Sequence, residues 1–296
     1  MIGPLLLALV LAVPSALVAP DVARPGDAVL VAVEDADALP SGSLAGRPLR
    51  FWPAGERRWL AVAPLPIEAV PGPAAVEVSA DGLSLAPPLE LSPPGFATTT
   101  LSVPPRFLEP PPSARRRMAL DQEALKKAWD QPFGPPRLSG PLTVPLDVEP
   151  SSRYGDQRVY NGKTEGVHYG LDLPGATGEP VGAAGAGEVV LARDCYMSGN
   201  TVILWHGAGV FTAYFHLSRM EVKAGDRVGR GQRIGRVGST GRSTGPHLHW
   251  GVKVDGLWVD PRSATRLDLA AGDLSALPSP HAPRPPSGPG AAAPPR

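Results

Sequence analysis

The chain has 296 residues, more than one average domain, so two folded units joined by linkers are expected. Apolar residues make up 43% of the sequence, which is ample for hydrophobic cores, and its 34 glycines and 38 prolines favour turns and short strands over a helical bundle. The 28 basic residues balance the 28 acidic ones and no basic stripe is present, so we expect no nucleic-acid partner.

The N-terminus predicts an exported protein. An apolar run from Leu5 to Val13 has the length of the hydrophobic region of a signal peptide and is too short for a comfortable membrane span. Ala16 and Ala19 offer cleavage positions, so residues 1–19 are interpreted as a signal peptide, although no Lys or Arg precedes the run. An uncleaved anchor and a buried core segment are the alternatives. We expect a location in the periplasm, the cell envelope or the extracellular medium, with no stable membrane span after cleavage.

Residues 20–103 predict a small β-sandwich-like module. Short apolar runs at 29–33, 59–62 and 75–78 are separated by turn formers such as Pro53-Ala54-Gly55 and Asp81-Gly82. The module contains no cluster of His, Cys or paired carboxylates. A binding or spacing role is therefore favoured over catalysis.

The remaining chain divides into a connector, a second domain and a tail. Residues 104–140 form a Pro-rich linker with one predicted helix from Ser113 to Asp130, which Pro132 ends. Residues 141–265 are rich in Gly and in strand patterns, and predict an antiparallel β domain. The Pro/Ala-rich residues 278–296 have a composition that predicts disorder. The predicted fold class is therefore all-β, with one helical connector.

Metal-ligand side chains occur in two motifs of the second domain. His247 and His249 are two residues apart on a predicted strand, so both imidazoles point to one face, with Cα atoms roughly 7 Å apart. His168 and Asp172 are four residues apart, about 13 Å on a straight strand, and can share one ion only if the chain bends. Gly170 lies midway, where a bend or a close backbone approach is easiest.

Two imidazoles and a carboxylate are a ligand set for zinc that leaves one position for water. His216 ends a predicted strand and is a candidate third imidazole at the same groove. Imidazoles that do not bind metal can handle protons, so the combination points to hydrolysis. His206 alone is more typical of a structural histidine.

Residues 153–261 carry a series of ordered motifs that resemble those of one family. They are Arg158 to Gly162, His168-x-Gly170-x-Asp172, Gly199 to Val202, Tyr214 to Ser218, Val222 to Asp226, Gly238 to Gly241 and Thr244 to Trp250. In this order and spacing they resemble the lysostaphin-like, LytM-type zinc metallopeptidases of family M23, which are peptidoglycan endopeptidases. The match covers a little over a third of the chain.

The resemblance implies that His168, Asp172 and His249 hold one Zn²⁺ per chain. It also implies that His216 and His247 are the metal-free catalytic pair, and that the substrate is a peptide cross-link of bacterial cell-wall peptidoglycan. Some members carry a tyrosine six residues before the first zinc histidine. Here that position is Gly162, which leaves Tyr160 and Tyr214 as candidate substitutes.

Two other functions stay open at this point. One is a non-catalytic wall-binding or amidase-activating protein with the same fold, which the zinc content would distinguish from an enzyme. The other is a lipoyl- or biotinyl-type carrier, because residues 228–235 resemble a carrier hairpin, but no acceptor lysine follows the required Met or Asp. The sequence does not determine the bond cleaved, the oligomeric state, or whether the N-terminal module and connector cover the groove.

Overall fold

The computed structural model describes residues 12–162 and 164–270, with the side chains of residues 164 and 165 left out. Strands dominate this part of the chain, which confirms the predicted all-β class. The N-terminal strands are β1 (Ser15–Ala19), β2 (Val22–Ala23), β3 (Ala28–Glu34), β4 (Ser41–Leu44), β5 (Arg47–Pro48), β6 (Trp52–Gly55), β7 (Arg58–Pro64), β8 (Gly72–Pro73), β9 (Val76–Ala80), β10 (Leu83–Leu85) and β11 (Glu90–Leu91).

A connector and a second domain follow. Their strands are β12 (Thr98–Leu101), β13 (Gln157–Tyr160), β14 (Thr164–Val167), β15 (Leu171–Pro174), β16 (Pro180–Gly182), β17 (Gly187–Cys195), β18 (Gly199–Trp205), β19 (Val210–Leu217), β20 (Arg219–Met220), β21 (Arg227–Val228), β22 (Arg233–Arg236), β23 (His247–Val254) and β24 (Leu257–Val259). The helices are a 3₁₀ turn at Pro105–Phe107, α1 (Pro112–Trp129) and the short α2 (Pro261–Ala264).

The N-terminal module consists of two four-stranded sheets, β1-β3-β7-β6 and β10-β9-β4-β5, and a small sheet, β2-β11-β8. Its central strand β3 is apolar from Ala28 to Val33, where both of its faces are buried. Val29, Val31 and Val33 face the core of the module itself. The alternate residues, represented by Leu30, face a core shared with the second domain. The module is thus packed against the second domain through one face of its first sheet.

Two strands lie outside the predicted domain boundaries. Strand β1 pairs with β3 of the module, although it falls inside the predicted signal peptide 1–19. Strand β12 falls inside the predicted module 20–103 but pairs in parallel with β13 of the second domain. A strand pattern in the sequence predicts that a strand exists but not which strand it pairs with. The rest of the predicted signal region, 1–11, and the predicted tail 278–296 lie outside the described residues.

The connector is a packed part of the structure. Helix α1 begins and ends within one residue of the predicted helix. Its Ala128 joins Ile203 and Phe211 in a cluster on the outer face of the main sheet. The buried Asp121 carboxylate accepts hydrogen bonds from Arg193 Nε and Tyr196 N, both at 2.8 Å. Within the described ranges, no helix is long and apolar enough to span a membrane.

The second domain is built on an antiparallel sheet with the order β15-β23-β19-β18-β17-β21, to which β24 adds beside β23. A smaller sheet, β16-β22-β20, covers one face of the main sheet. The core of the domain contains the fully buried Tyr214, Trp250 and Ile234. Strand β23 lies between β15 and β19, so the residues at its start are flanked by side chains from both neighbours. This region forms the candidate site.

Candidate metal centre

Three potential ligands converge where β15 and β23 pair. Asp172 lies directly opposite His249 in the antiparallel register, so both side chains project from the same face of the sheet. His168 comes from the segment just before β15 and is buried. The atoms His168 Nε2, Asp172 Oδ1 and His249 Nδ1 are each 3.0 Å from the other two. The structure therefore brings together the three residues that the sequence singles out as ligands.

This triangle of atoms fits a zinc ion. Tetrahedral zinc with bonds of about 2.0–2.2 Å separates its ligand atoms by roughly 3.3–3.6 Å, close to the observed spacing. The His168 Nδ1–H donates to the carbonyl oxygen of Arg153 at 2.8 Å, which leaves the lone pair of a neutral ring on Nε2. An imidazole, a second imidazole and a carboxylate are also donors that zinc prefers.

Gly170 allows the approach that the sequence predicts. A Cβ atom at this position would lie 2.7 Å from His249 Nε2 and 2.7 Å from the carbonyl oxygen of Trp250. The His249 ring therefore packs directly against the backbone of residue 170, which only glycine permits. On its other side, the ring stacks on Phe215 with centroids 5.1 Å apart and planes 4° apart. Phe215 lies opposite His249 in the register of β19 and β23.

The protonation states also suit a metal. Burial acts to raise the pKa of the Asp172 carboxyl, but hydrogen bonding to the His168 and His249 rings outweighs it and holds that pKa well below its usual range. Burial lowers the pKa of His249 to about 4, against the opposing effect of Asp172. At neutral pH the carboxylate is thus ionised and the His249 ring is neutral, which are the forms that bind metal.

Arg158 also belongs to the site, although its contact with Asp172 cannot be predicted from the spacing of residues in the sequence. Its guanidinium lies beside Asp172, with Nη2 donating to Asp172 Oδ2 and, at 2.9 Å, to Ser152 Oγ. Asp172 Oδ1 is left to the metal triangle. Arg158 occurs in a motif quoted above, but it lies on β13, and no local pattern shows that this strand reaches Asp172.

His216 and His247 form a second pair beside the triangle, with ring centroids 5.0 Å apart. His216 Nδ1–H donates to the carbonyl oxygen of Thr240 at 2.8 Å, and His247 Nδ1–H donates to that of Gly245 at 2.8 Å. His247 Nε2 lies 3.6 Å from Asp172 Oδ1. Burial, reinforced by the nearby His249 and His247, lowers the pKa of His216 to about 3, so its ring is neutral at pH 7.

An unusual backbone conformation directs the His216 ring into the groove. His216 has φ +62°, in the left-handed region that residues other than glycine rarely adopt. Its N–H donates to the Ser198 carbonyl oxygen at 2.9 Å, which helps to hold this conformation. Strict alternation would place His216 and Tyr214 on the same face of β19. The turn at His216 instead sends the two side chains to opposite sides of the sheet.

The two tyrosines named as candidate oxyanion donors differ in position. Tyr214 is fully buried in the core, where its hydroxyl accepts hydrogen bonds from Ala184 N at 2.7 Å and Thr212 Oγ1 at 3.0 Å. The suggestion that Tyr214 acts in the groove is therefore wrong. Tyr160 does line the groove. His206 is a structural histidine, as expected, and is hydrogen-bonded to Ala186 O and Thr212 Oγ1.

The two histidine pairs and Asp172 open into one groove of about 580 Å³. One of its walls comes from β12 and the residues just after it, through Thr99, Leu101 and Val103. The side chain of Asn161 fixes this wall, because it accepts from Val103 N and donates to Val103 O, both at 2.9 Å. Strand β12 and Val103 thus contribute to the groove, a role that the sequence alone does not assign to them.

This fold and this cluster are those of a metal-site hydrolase domain, and comparison with known proteins identifies the family. The model of Peptidase family M23 matches residues 166–261. A Pseudomonas aeruginosa protein assigned to peptidase M23 has a crystal structure that is 30% identical, covers 84% of this chain and 95% of its own, and superposes with a TM-score of 0.61. The chain belongs to the M23 peptidase family.

Two curated relatives are similar to the second domain. The peptidoglycan DD-endopeptidase ShyA of Vibrio cholerae is 43% identical over 115 residues, which are 38% of this chain and 27% of ShyA. The peptidoglycan DD-endopeptidase ShyC of the same organism is 40% identical over 125 residues, which are 41% of this chain and 29% of ShyC. The chain thus matches less than a third of the length of either relative.

Proposed function

We propose that the protein is a zinc endopeptidase that hydrolyses peptide cross-links of bacterial cell-wall peptidoglycan. The observation that carries this proposal is the position of the His168, Asp172 and His249 triangle directly beside the His216 and His247 pair in one groove. The names of ShyA and ShyC support the choice of substrate. A non-catalytic activator with the same fold has no need for a complete ligand set and two proton-handling imidazoles.

In this proposal His168, Asp172 and His249 hold one zinc ion. When bound, zinc polarises the scissile carbonyl and lowers the pKa of a water molecule toward neutral. The protein contributes the orientation of the ligands: the Arg153 carbonyl fixes the tautomer of His168, and Arg158 occupies the second oxygen of Asp172. Such contacts to ligands typically contribute 10- to 100-fold to metal affinity.

His216 and His247 share the transfer of protons. Each ring is fixed by an Nδ1–H bond to a carbonyl, so the neutral form presents the lone pair of Nε2. A neutral imidazole accepts a proton from the attacking water, and the imidazolium then donates it to the leaving amine. The low pKa of His216 keeps this ring neutral at pH 7, ready to accept a proton.

The proposed substrate lies outside the cytoplasm, so the proposal includes export and removal of an N-terminal signal within residues 1–19. Strand β1 (Ser15–Ala19) supports cleavage at the start of this strand, since cleavage after Ala19 removes a strand that pairs along its length with β3. Sequencing the N-terminus of the exported protein decides between these sites. The proposed domain organisation is otherwise an N-terminal module, a connector and a peptidase domain.

The direct test is mass spectrometry of the fragments released from purified, cross-linked muropeptides by the full-length, zinc-loaded protein. We expect dimeric muropeptides to be converted to monomers, with the mass of one water added for each bond cleaved. Asp172→Ala and His247→Ala serve as inactive controls. A protein that binds no zinc, releases nothing and instead stimulates a separate amidase contradicts the proposal and supports the activator function.

A further inference from the structure

The groove contains a cationic side chain that the proposed mechanism does not use. Arg242 lines the groove, on the loop that leads into β23. Its neighbour Ser243 places Oγ 3.4 Å from His247 Nδ1, so this loop borders the reacting centre directly. Arg242 is half-buried, which leaves part of its guanidinium accessible from the groove.

The structure holds Arg242 in a defined position. Its backbone N–H donates to the Met197 carbonyl oxygen at 2.8 Å. The preceding Gly241 has φ +70° and packs so closely that a Cβ atom would lie 2.3 Å from Gly199 N. The guanidinium carbon lies 4.7 Å from the centroid of the Tyr160 ring. Stacking on an aromatic ring leaves the N–H donors at the edge of a guanidinium free, so Arg242 is ordered in advance for a planar anion.

The charges of the groove are not balanced. Among the described residues that line the groove, the acidic and basic ones (Asp, Glu, Lys or Arg) are Arg158, Asp172 and Arg242. Arg158 forms an ion pair with Asp172. Arg242 forms no ion pair with any of the side chains that the structure describes. A bound divalent cation adds further positive charge. The groove therefore complements a substrate that carries a negative charge close to the reacting bond.

We propose that Arg242 determines specificity by binding a free carboxylate of the peptide substrate, on the carbon next to the scissile amide nitrogen. This inference rests on the proposed function and specifies its substrate class. In a cross-link from D-alanine to diaminopimelate, the carbon attached to the scissile nitrogen also bears a carboxylate. The interior of a glycine bridge carries none. Arg242 thus selects cross-links of the first kind.

The test compares two cross-linked peptides that differ at one group, with either the free carboxylate or a carboxamide next to the scissile amide. We expect kcat/KM of the full-length zinc protein to be about ten- to a hundredfold higher for the carboxylate, the value of one charge-assisted hydrogen-bonded contact. Arg242→Gln should lower kcat/KM for the carboxylate by this factor and leave the carboxamide nearly unchanged. Arg242→Lys should recover only part of the loss, because it keeps the charge but not the planar fork.

Arg116→Gln, on the exposed side of α1, is the matched control and should change neither value. An equal loss on both substrates in Arg242→Gln overturns the proposal, because it shows a structural role only. Equal hydrolysis of both peptides by the unaltered protein overturns it as well.

A binding measurement separates this proposal from the proposed function. Calorimetry with zinc-loaded His247→Ala, which is not expected to turn over, measures affinity for the two peptides, and the double variant with Arg242→Gln measures the contribution of Arg242. Tighter binding of the carboxylate that disappears in the double variant supports the proposal. Equal affinities overturn it. Absence of hydrolysis of either peptide by the unaltered protein contradicts the endopeptidase function, while the affinities still decide the role of Arg242.

Discussion

Asp172 and His249 face each other across two paired antiparallel strands, with Oδ1 and Nδ1 3.0 Å apart. Removing either side chain leaves two of the three ligand atoms. We expect Asp172→Ala and His249→Ala to lose zinc and hydrolysis together, since a two-ligand site retains metal poorly. Metal content by mass spectrometry and muropeptide cleavage check this. Full activity of His249→Ala on purified wall material shows that the ligand assignment is wrong.

His247 should behave differently from the ligands. Its ring is fixed by Gly245 and lies beside the triangle without being part of it. We expect His247→Ala to retain most of its zinc while its rate of hydrolysis falls by roughly 10²–10⁴, the usual contribution of a general acid or base. Metal analysis and rate measurement on the same preparation make the comparison. A parallel loss of zinc would make His247 a ligand.

Gly170 should be as sensitive as a ligand although it binds nothing. In Gly170→Ala the new Cβ would meet His249 Nε2 and the Trp250 carbonyl, both at 2.7 Å, so the ring has to move. We expect a loss of zinc affinity of at least about tenfold, as for other changes to groups that orient a ligand. Competition with a chelator measures it. Gly229→Ala is the control, because no atom lies within 4 Å of its Cβ position, and equal effects of both variants would refute the explanation.

Residues 97–140, which contain β12 and α1, should be necessary for a stable peptidase domain. A fragment of residues 141–262 lacks α1 and β12, and it exposes apolar side chains such as Ile203 and Phe211 that α1 covers. We expect it to melt at a lower temperature than the full chain and to cleave substrate less efficiently, since one wall of the groove is missing. A fragment of residues 97–270 should lie between the two. Equal melting temperatures and activities of the full chain and the shorter fragment would contradict this expectation.

His206 should make stability depend on pH. Burial lowers its pKa from the ordinary value of 6.5 to about 4, so between these pH values the unfolded chain binds more protons than the folded one. The free energy of unfolding therefore falls as the pH falls from about 6.5 to about 4, by up to about 3 kcal/mol from this residue. Urea unfolding of the unaltered protein and of His206→Gln at several pH values tests it. The difference between the two should shrink in acid, and a constant difference argues against the effect.

Local patterns predict much of this molecule. The spacing of His247 and His249 places both on one face of a strand, which β23 confirms. The prolines on either side of α1 predict the ends of this helix to within one residue. Gly170 is predicted as a point of close approach, and a Cβ there would meet the His249 ring. In each case the signal depends only on residues within a few positions along the chain.

Contacts between distant segments were not predictable in the same way. The pairing of β12 with β13 joins residues about 60 positions apart, and neither strand carries a mark of its partner. The proximity of Arg158 and Asp172 depends on how β13 lies over the sheet. The burial of Tyr214 was not predictable from alternation either: a regular strand would put Tyr214 and His216 on one face, but the positive φ of His216 ends that regularity.

Strand β3 has one row of side chains in the module core and the other in the core shared with the peptidase domain. An insertion of one residue in this strand would exchange the two rows and disturb both cores at once. Recombination within the connector therefore cannot replace the N-terminal module with an unrelated one without disturbing the shared core. A homologous module joined to this peptidase domain needs a strand whose second row of side chains packs against the same surface of the peptidase domain. The sequences of the two units therefore have to change together in evolution.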